Sequence, residues 1–287
     1  MSRERLLLLG FGDIAQRLAE CVKGRYDITG VRRSAVNYDG VTTVQADCGD
    51  ITAMAQLLAP GFDVIVSTMT PATISDEGYD QTYVKTTAAL VSGLRRSSHQ
   101  PRLVILVSST SVYGQQQGEW VDEHAATDPT SFSGKRLLEA EQYLQNSGYP
   151  CCIVRFSGIY GPGRRRLLEQ VLAGQGAAAE PVVYSNRIHA DDAARVLAYL
   201  IDRQRQATIA PLYLASDCDP APLHQVKHWL AQQLQLPADH LQPQPINRQL
   251  RSSKRVNNQL LLASGFEFLY PSYREGYSLL IGEGMEN

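Results

Sequence analysis

Two glycines near the amino terminus, Gly10 and Gly12, stand where an apolar run ends and a helical pattern begins. With Ala15 they complete the spacing G-x-G-x-x-A. In a strand–turn–helix unit this spacing lets the backbone approach a diphosphate, and the helix N-terminus offers free N–H groups. The motif also occurs in ordinary βα turns, so its position after the first strand is what favours a nucleotide site. The predicted contacts in this turn are Gly10, Phe11, Gly12, Asp13 and Ile14.

A pair of arginines, Arg32 and Arg33, follows the second predicted strand, residues 26–31. Arg32 lies about 20 residues after Gly12, where NAD-binding chains carry an acidic residue that binds the ribose 2′-hydroxyl. No acidic residue stands beside it, and a guanidinium can bind a 2′-phosphate with two hydrogen bonds. The pattern therefore predicts NADP rather than NAD as the cofactor, with two solvated arginines at a strand end as the alternative.

Polar residues follow the carboxyl ends of other predicted strands, the edge of an open parallel sheet where ligands bind. We expect Asp47 near the adenine, and Ser67 and Thr68 near the phosphate or ribose, although each could instead form a turn. The cofactor contacts predicted further along this edge are Met69, Ser108 and Ser157.

The composition is that of an ordinary globular protein, with 44% apolar and 20% charged residues and a formal net charge of −2. This charge argues against electrostatic binding to nucleic acid or to an anionic membrane. No apolar run approaches the roughly 20 residues of a membrane helix, and we expect a cytoplasmic protein. The five cysteines are scattered without a C-x-x-C motif, so neither a metal site nor a disulfide framework is predicted.

The elements that must position these residues alternate between strand and helix patterns along most of the chain. This alternation predicts an α/β fold, a Rossmann-type doubly wound parallel sheet, with a smaller C-terminal region that covers the substrate. We assign residues 1–156 to the dinucleotide-binding domain, with parts of 182–215 returning to it. Residues 157–287 form mainly the smaller substrate-binding region.

Several segments, in order and over most of the chain, resemble the extended short-chain dehydrogenase/reductase family, the group of nucleoside-diphosphate-sugar epimerases and dehydratases. They are residues 10–15, 107–114, 155–163 and 188–192. The closest resemblance is to the atypical subgroup of NAD(P)-dependent epimerase/dehydratases, which residues 253–257 and 269–276 also match. Extended members usually carry a further upstream glycine, where this chain has Leu9, and this departure weakens the assignment of a sugar-nucleotide substrate.

The resemblance also implies a catalytic set of Ser or Thr followed by Tyr-x-x-x-Lys. Ser109 then takes the serine place and Lys135 the lysine place, where it would bind the nicotinamide ribose. The tyrosine place falls on Ser131, whose hydroxyl is much harder to ionise than a phenol. Tyr113 is a candidate for the missing acid/base, with a structural role as its alternative, and Lys135 could instead be a lysine of the helix surface.

Two hypotheses for the function follow. The first is an NADP-dependent oxidoreductase, epimerase or dehydratase that acts on a small polar, sugar-nucleotide-like substrate at an atypical active site. The second is a non-catalytic NADP(H)-binding sensor or scaffold. Ser131 favours the second, whereas Ser109 and Lys135 favour the first, towards which we lean. By analogy with the family, a homodimer is expected.

Overall fold

The computed structural model describes residues 3–243 and 253–285. Its strands are β1 (Glu4–Leu9), β2 (Tyr26–Arg32), β3 (Val41–Gln45), β4 (Val64–Ser67), β5 (Leu103–Ser109), β6 (Glu119–Val121), β7 (Cys151–Phe156), β8 (Gly158–Tyr160), β9 (Tyr184–Ser185), β10 (Arg187–His189), β11 (Leu212–Ala215), β12 (Ala221–Pro222) and β13 (Lys254–Val256). Its α-helices are α1 (Asp13–Cys21), α2 (Ile51–Leu58), α3 (Asp76–Tyr79), α4 (Thr86–Arg96), α5 (Phe132–Gln145), α6 (Arg166–Leu172), α7 (Ala190–Arg203), α8 (Leu223–Gln233), α9 (Gln259–Ala263) and α10 (Tyr273–Met285).

Seven strands form one parallel sheet in the order β11-β7-β5-β4-β1-β2-β3. The four leucines of β1 are fully buried, as expected for a central strand that is covered on both faces. The strand order reverses between β1 and β4, which is where doubly wound sheets bind their ligands. The predicted doubly wound α/β fold is therefore confirmed.

The chain divides into two compact units. The first comprises residues 1–112, 129–155 and 194–213, and the second comprises residues 113–128, 156–193 and 214–287. The segment 194–213 returns to the first unit, whereas residues 113–128, which the sequence assigns to the first domain, belong to the second unit. Among the described residues, none of the helices combines the length and the apolar character that crossing a membrane requires.

The helix that the sequence pattern indicates over residues 79–96 is divided in the structure. It begins with α3, continues through a π-helical turn, Asp80–Lys85, and ends with α4. Gly93, which interrupts the apolar pattern, does not interrupt α4: a Cβ atom there would lie 2.7 Å from Leu58 Cδ1. The glycine therefore permits close packing of α4 against α2 in the core of the first unit.

Residues 115–122, which the sequence indicates as a loop, contain a short strand. This strand, β6, pairs in parallel with β13, so that Trp120 lies opposite Arg255 in the second unit. The two partners are separated by more than 130 residues, and such a long-range pairing leaves no local pattern in a three-residue strand.

Candidate functional site

The glycine turn after β1 is held between two neighbouring strands of the first unit. The backbone N–H groups of Gly10 and Phe11 donate to the Val31 carbonyl oxygen, at 3.0 and 2.8 Å. The Thr68 hydroxyl donates to the Gly10 carbonyl oxygen at 2.9 Å. Gly10 has a φ of +80°, and a Cβ atom there would lie 2.9 Å from Met69 Cα. Only glycine fits this position, and Thr68 and Met69 serve as its support.

Gly12 differs from Gly10 because its surroundings are open. Its φ is −102°, and a Cβ atom would have Gly10 O, 3.8 Å away, as its nearest contact. Gln16 N–H donates to the Gly12 carbonyl oxygen, so the three N–H groups before it have no acceptor within α1. The Asp13 carboxylate, which would repel an anion, is bound by Arg17 Nε at 2.8 Å. The turn and helix end thus form a cradle that fits a diphosphate.

A pocket of about 640 Å³ opens beside this turn, and the first unit supplies its whole lining. Burial raises the pKa of the Cys48 thiol in this pocket to about 11, so the thiol is neutral at pH 7. The lining contains eight residues that the sequence predicted as cofactor contacts: Gly10, Phe11, Gly12, Arg32, Arg33, Asp47, Thr68 and Met69.

Arg32 and Arg33 reach this pocket from the end of β2. Arg32 is half-buried and Arg33 is exposed, and neither forms an ion pair with any residue that the structure describes. Two guanidinium groups without a counterion therefore face the space next to the glycine turn. The Asp47 carboxylate also lines the pocket, where it accepts the Gly49 N–H at 2.9 Å.

Five other predicted contacts of the first unit do not line the pocket, namely Asp13, Ile14, Ser67, Ser108 and Lys135. Ile14 and Ser67 are buried. Phe11 reaches the pocket, but its ring is fully buried against β2, where a Cβ atom on Gly30 would lie 2.5 Å from it. Phe11, Ile14 and Ser67 thus build the turn and its support more than they offer groups to a ligand.

The Ser108 hydroxyl is engaged inside the protein. It donates to the Glu141 carboxylate of α5, which in turn binds Arg155 at the end of β7 with an Nη2–Oε2 distance of 2.6 Å. All three side chains are buried. This network joins β5, α5 and β7. The sequence interpretation did not include Glu141, although its spacing of four residues from Leu137 and three from Leu144 places it on the buried face of α5.

Three residues at the positions predicted for the catalytic set belong to the first unit: Ser109, Ser131 and Lys135. They differ in burial and in hydrogen bonding. Ser109 ends β5, half-buried, and its hydroxyl accepts the Ser111 N–H at 3.2 Å. Ser131 is the N-cap of α5, and its hydroxyl accepts the Gly134 N–H at 3.2 Å. Lys135 is exposed on the side of α5 that lies away from the buried stripe formed by Leu137 and its neighbours. The predicted ribose contact of Lys135 gains no support from this placement.

Two further predicted residues belong to the second unit. The Tyr113 phenol is 1% exposed and donates to the Asp122 carbonyl oxygen at 2.8 Å, which is a structural use of this hydroxyl. Ser157 is buried, and its backbone N–H donates to the Ala215 carbonyl oxygen at 3.0 Å. The Ser157 hydroxyl has no partner among the described residues.

Sequence analysis missed three polar pocket residues, Gln81, Thr82 and Thr86, which come from the π-helical turn and the start of α4. The wider π-helical turn changes which side chains share a face, and a 3.6-residue pattern does not reveal it. The sequence pattern over residues 79–96 is interrupted only at Gly93, so it carries no signal for the π-helical turn.

A glycine turn, a helix N-terminus and a pocket at the reversal of a parallel sheet define a dinucleotide-binding α/β protein. Residues 7–211 match the NAD dependent epimerase/dehydratase family. The chain therefore belongs to this family, in the extended short-chain dehydrogenase/reductase class. The predicted family is confirmed, and a nicotinamide cofactor is supported.

Individual proteins are similar to this chain over nearly its full length. A structure from Methylobacillus flagellatus, assigned to the NAD-dependent epimerases/dehydratases, is 34% identical, covers 100% of both chains and superposes with a TM-score of 0.84. Protein YeeZ of Escherichia coli K12 is 27% identical, over 93% of this chain and 97% of its own. The dTDP-glucose 4,6-dehydratase DesIV of Streptomyces venezuelae, solved with NAD, is 17% identical with a TM-score of 0.81, over 99% and 97% of the two chains. At this identity DesIV shares the fold alone.

Proposed function

We propose that this protein binds NADP(H) in the pocket of the first unit and acts as an oxidoreductase, epimerase or dehydratase on a small polar, sugar-nucleotide-like substrate. The observation that carries the cofactor choice is that Arg32 and Arg33 line the same pocket as the glycine turn and have no counterion among the described residues. A 2′-phosphate would supply that counterion, whereas a ribose 2′-hydroxyl would not.

The chain's own residues would hold the dinucleotide in three places. Gly12 and the N–H groups at the start of α1 would bind the diphosphate, and the two arginines would bind the adenosine 2′-phosphate. Asp47 lies in the same lining, where the adenine is expected. When bound, the nicotinamide supplies a hydride acceptor or donor.

The substrate class is proposed from the family and from what its members bind. DesIV, which was solved with NAD, acts on dTDP-glucose. The family resemblance alone supports the proposal that Ser109, at the end of β5, orients a substrate hydroxyl or carbonyl. It is also the only support for a ribose contact of Lys135, which is exposed on α5 and does not line the pocket. Neither Ser131, which caps α5, nor Tyr113, which is bonded to Asp122, is proposed as the acid/base. A sensor without turnover is not favoured, because the family is one of enzymes.

Titration calorimetry with NADP⁺ and NAD⁺ tests the cofactor choice. We expect NADP⁺ to bind more tightly than NAD⁺, and the double variant Arg32→Ala/Arg33→Ala to lose roughly 10- to 100-fold in NADP⁺ affinity, since charge-assisted hydrogen bonds contribute about 1.5–3 kcal/mol. NAD⁺ affinity should stay unchanged. Arg95→Ala/Arg96→Ala, an exposed arginine pair at the end of α4, is the matched control. Equal affinities, or a preference for NAD⁺, would contradict the proposal.

A further inference from the structure

A second cavity of the first unit is a groove of about 1160 Å³. We call it the β2–β3 groove, and its walls come from the stretches 3–5, 23–29, 40–46 and 53–62. Among the residues that the structure describes, it shares only Ala46 with the lining of the cofactor pocket. The groove is large enough for a small organic ligand, and the proposed function does not use it.

The register of the sheet decides which side chains form the floor of the β2–β3 groove. Leu9 and Val31 are partners in the β1–β2 pair and belong to the apolar core that α2 and α4 share. Because side chains alternate along a strand, the partners four residues earlier, Arg5 and Asp27, lie on the same face of the sheet. Thr29, two residues before Val31, lies on this face as well. The face thus changes from apolar to polar beyond the core, and its polar part lines the groove.

The guanidinium group of Arg5 is held in place at this groove. Its Nη1 group donates to the Pro60 carbonyl oxygen just after α2, and the Arg5 backbone N–H donates to Asp63 Oδ2 at 2.8 Å. Its Nε and Nη2 groups have no acceptor among the described residues. Arg3 also lines the groove and forms no ion pair within residues 3–243 and 253–285. The N–H groups of Arg5 can therefore donate to a carboxylate in the groove.

The carboxylate of Asp27 supplies a charge of the opposite sign. Asp27 is exposed, lies directly opposite Arg5 in the sheet and lines the groove. It forms no ion pair with Arg5 or with any other residue in the part of the chain that the structure describes. The third cation of the lining, Lys23, is compensated by Asp39 at 3.1 Å and Glu20 at 3.6 Å. A neighbouring guanidinium and carboxylate that do not pair with each other match a ligand that carries both charges.

Apolar side chains border these charges. Phe62 is buried and lines the groove, and it lies close to Arg5 because the Asp63 N–H donates to the Arg5 carbonyl oxygen at 3.0 Å. Leu57 of α2 and Val44 of β3 are only partly buried against the core, and both also line the groove. The groove therefore fits a ligand that joins an apolar body to a charged head group.

We propose that the β2–β3 groove binds an α-amino acid with an apolar side chain. The ligand carboxylate accepts from the N–H groups of Arg5, and the ligand ammonium donates to the Asp27 carboxylate. The apolar side chain of the ligand lies against Leu57 and Val44. An anion without an ammonium would bring its charge next to Asp27, whereas a cation without a carboxylate would meet the guanidinium groups of Arg3 and Arg5. The charges of the groove therefore select the zwitterion.

Titration calorimetry on the full chain with L-phenylalanine tests this site. We expect saturable binding of L-phenylalanine. Three analogues should bind much more weakly: 3-phenylpropionate lacks the ammonium, phenethylamine lacks the carboxylate, and glycine lacks the apolar side chain. An excess of NADP⁺ should leave the binding of L-phenylalanine in place, because the two ligands occupy different cavities.

Two variants test the groove itself. Asp27→Asn should weaken the binding of L-phenylalanine by roughly fivefold or more, because it removes a charge-assisted hydrogen bond in a groove that is partly open to solvent. Thr42, the exposed β3 partner of Thr29, lines the groove. Thr42→Trp should fold, since tryptophan is favourable in a strand, and should abolish binding by filling the groove. Asp128→Asn, which changes an exposed aspartate of the second unit, is the matched control and should bind as the wild type does.

No saturable binding of L-phenylalanine, or equal affinity in the wild type and in Asp27→Asn, would overturn the site. Binding of 3-phenylpropionate as tight as that of L-phenylalanine would show that the groove selects an anion and would overturn the zwitterion. Competition by NADP⁺ would place L-phenylalanine in the cofactor pocket and overturn the site as well. Absent NADP⁺ binding together with intact L-phenylalanine binding would contradict only the cofactor proposal.

Discussion

At the scale of single residues, the hydroxyls of two serines at predicted site positions, Ser108 and Ser131, make structural hydrogen bonds. Ser131 falls where the family resemblance expects a tyrosine, yet its hydroxyl caps α5. Ser108 lies near the end of β5, at the strand edge where a ligand is expected, yet its hydroxyl donates to the buried Glu141. Both side chains have structural uses that account for a serine at these positions.

Replacing Ser131 should therefore change stability. We expect Ser131→Ala to lower the free energy of unfolding by about 1 kcal/mol, because the Gly134 N–H loses its side-chain acceptor. Urea denaturation monitored by circular dichroism measures this loss. Ser131→Asp keeps an acceptor at the N-cap and should remain close to the wild type. A loss of equal size in both variants would speak against the capping role.

Two glutamates on α5 form a matched pair for testing the buried network. Glu141→Gln leaves the Arg155 guanidinium buried without its carboxylate, and we expect a loss of about 3–5 kcal/mol in the free energy of unfolding. Glu139→Gln breaks an exposed pair with Arg136 and should cost less than about 1 kcal/mol. Chemical denaturation of both variants gives the comparison. If both variants lost a similar amount of unfolding free energy, burial of the Glu141–Arg155 pair would contribute no additional stability.

At the scale of elements, the strand–turn–helix unit of β1 and α1 assigns different tasks to its two glycines. Gly10 needs its backbone conformation and touches Met69, so it serves the fold. Gly12 has an ordinary backbone conformation and open space around it, so neither backbone strain nor packing requires a glycine there. The two glycines of the motif thus differ physically: the backbone conformation and close packing require glycine at position 10, whereas position 12 has open space.

This difference predicts opposite phenotypes for two alanine variants. Gly12→Ala should fold with nearly unchanged thermal stability and lose at least about tenfold in dinucleotide affinity, since the new Cβ would occupy the space proposed for the diphosphate. Gly10→Ala should be destabilised by several degrees, because alanine is strained at a φ of +80° and meets Met69. Melting temperatures and calorimetry on both variants measure the outcome. Unchanged affinity in Gly12→Ala would remove the diphosphate from this turn.

At the scale of the whole molecule, each unit has its own buried polar residues as well as its own apolar core. In the second unit, Asp217 is 1% exposed and its backbone N–H donates to the Arg187 carbonyl oxygen at 2.7 Å. Burial raises the pKa of the Asp217 carboxyl to about 7, although the Arg187 charge opposes this shift. The charge state of this unit therefore changes close to neutral pH.

The sign of the pH dependence follows from this raised pKa. Between the unfolded pKa near 3.8 and the folded pKa near 7, the folded state binds the proton more tightly. Asp217 therefore contributes stability at low pH, and this contribution falls as the pH rises towards 7. We expect the melting temperature of Asp217→Asn to rise relative to the wild type between pH 5 and pH 8. A constant difference over this range would contradict the shifted pKa.

The fold and the cofactor turn could be predicted from the sequence because their signals are local. Alternating strand and helix patterns, the leucines of β1 and the glycine spacing depend on neighbours in the chain, and sheet handedness leaves few topologies. Placing polar residues at strand ends located Arg32, Arg33 and Asp47, all of which line the pocket. The choice of NADP over NAD stays a prediction.

By itself, the sequence determined the doubly wound sheet and the place of the glycine turn, because apolar periodicity and short-range spacing specify them. The family was indicated by the resemblance of several motif segments. Only the tertiary structure decided which hydroxyls are engaged, that Lys135 is exposed, and that Ser108, Glu141 and Arg155 form one buried network. Those facts depend on residues that are distant in the chain and meet only after folding, and no spacing in the sequence records such a meeting.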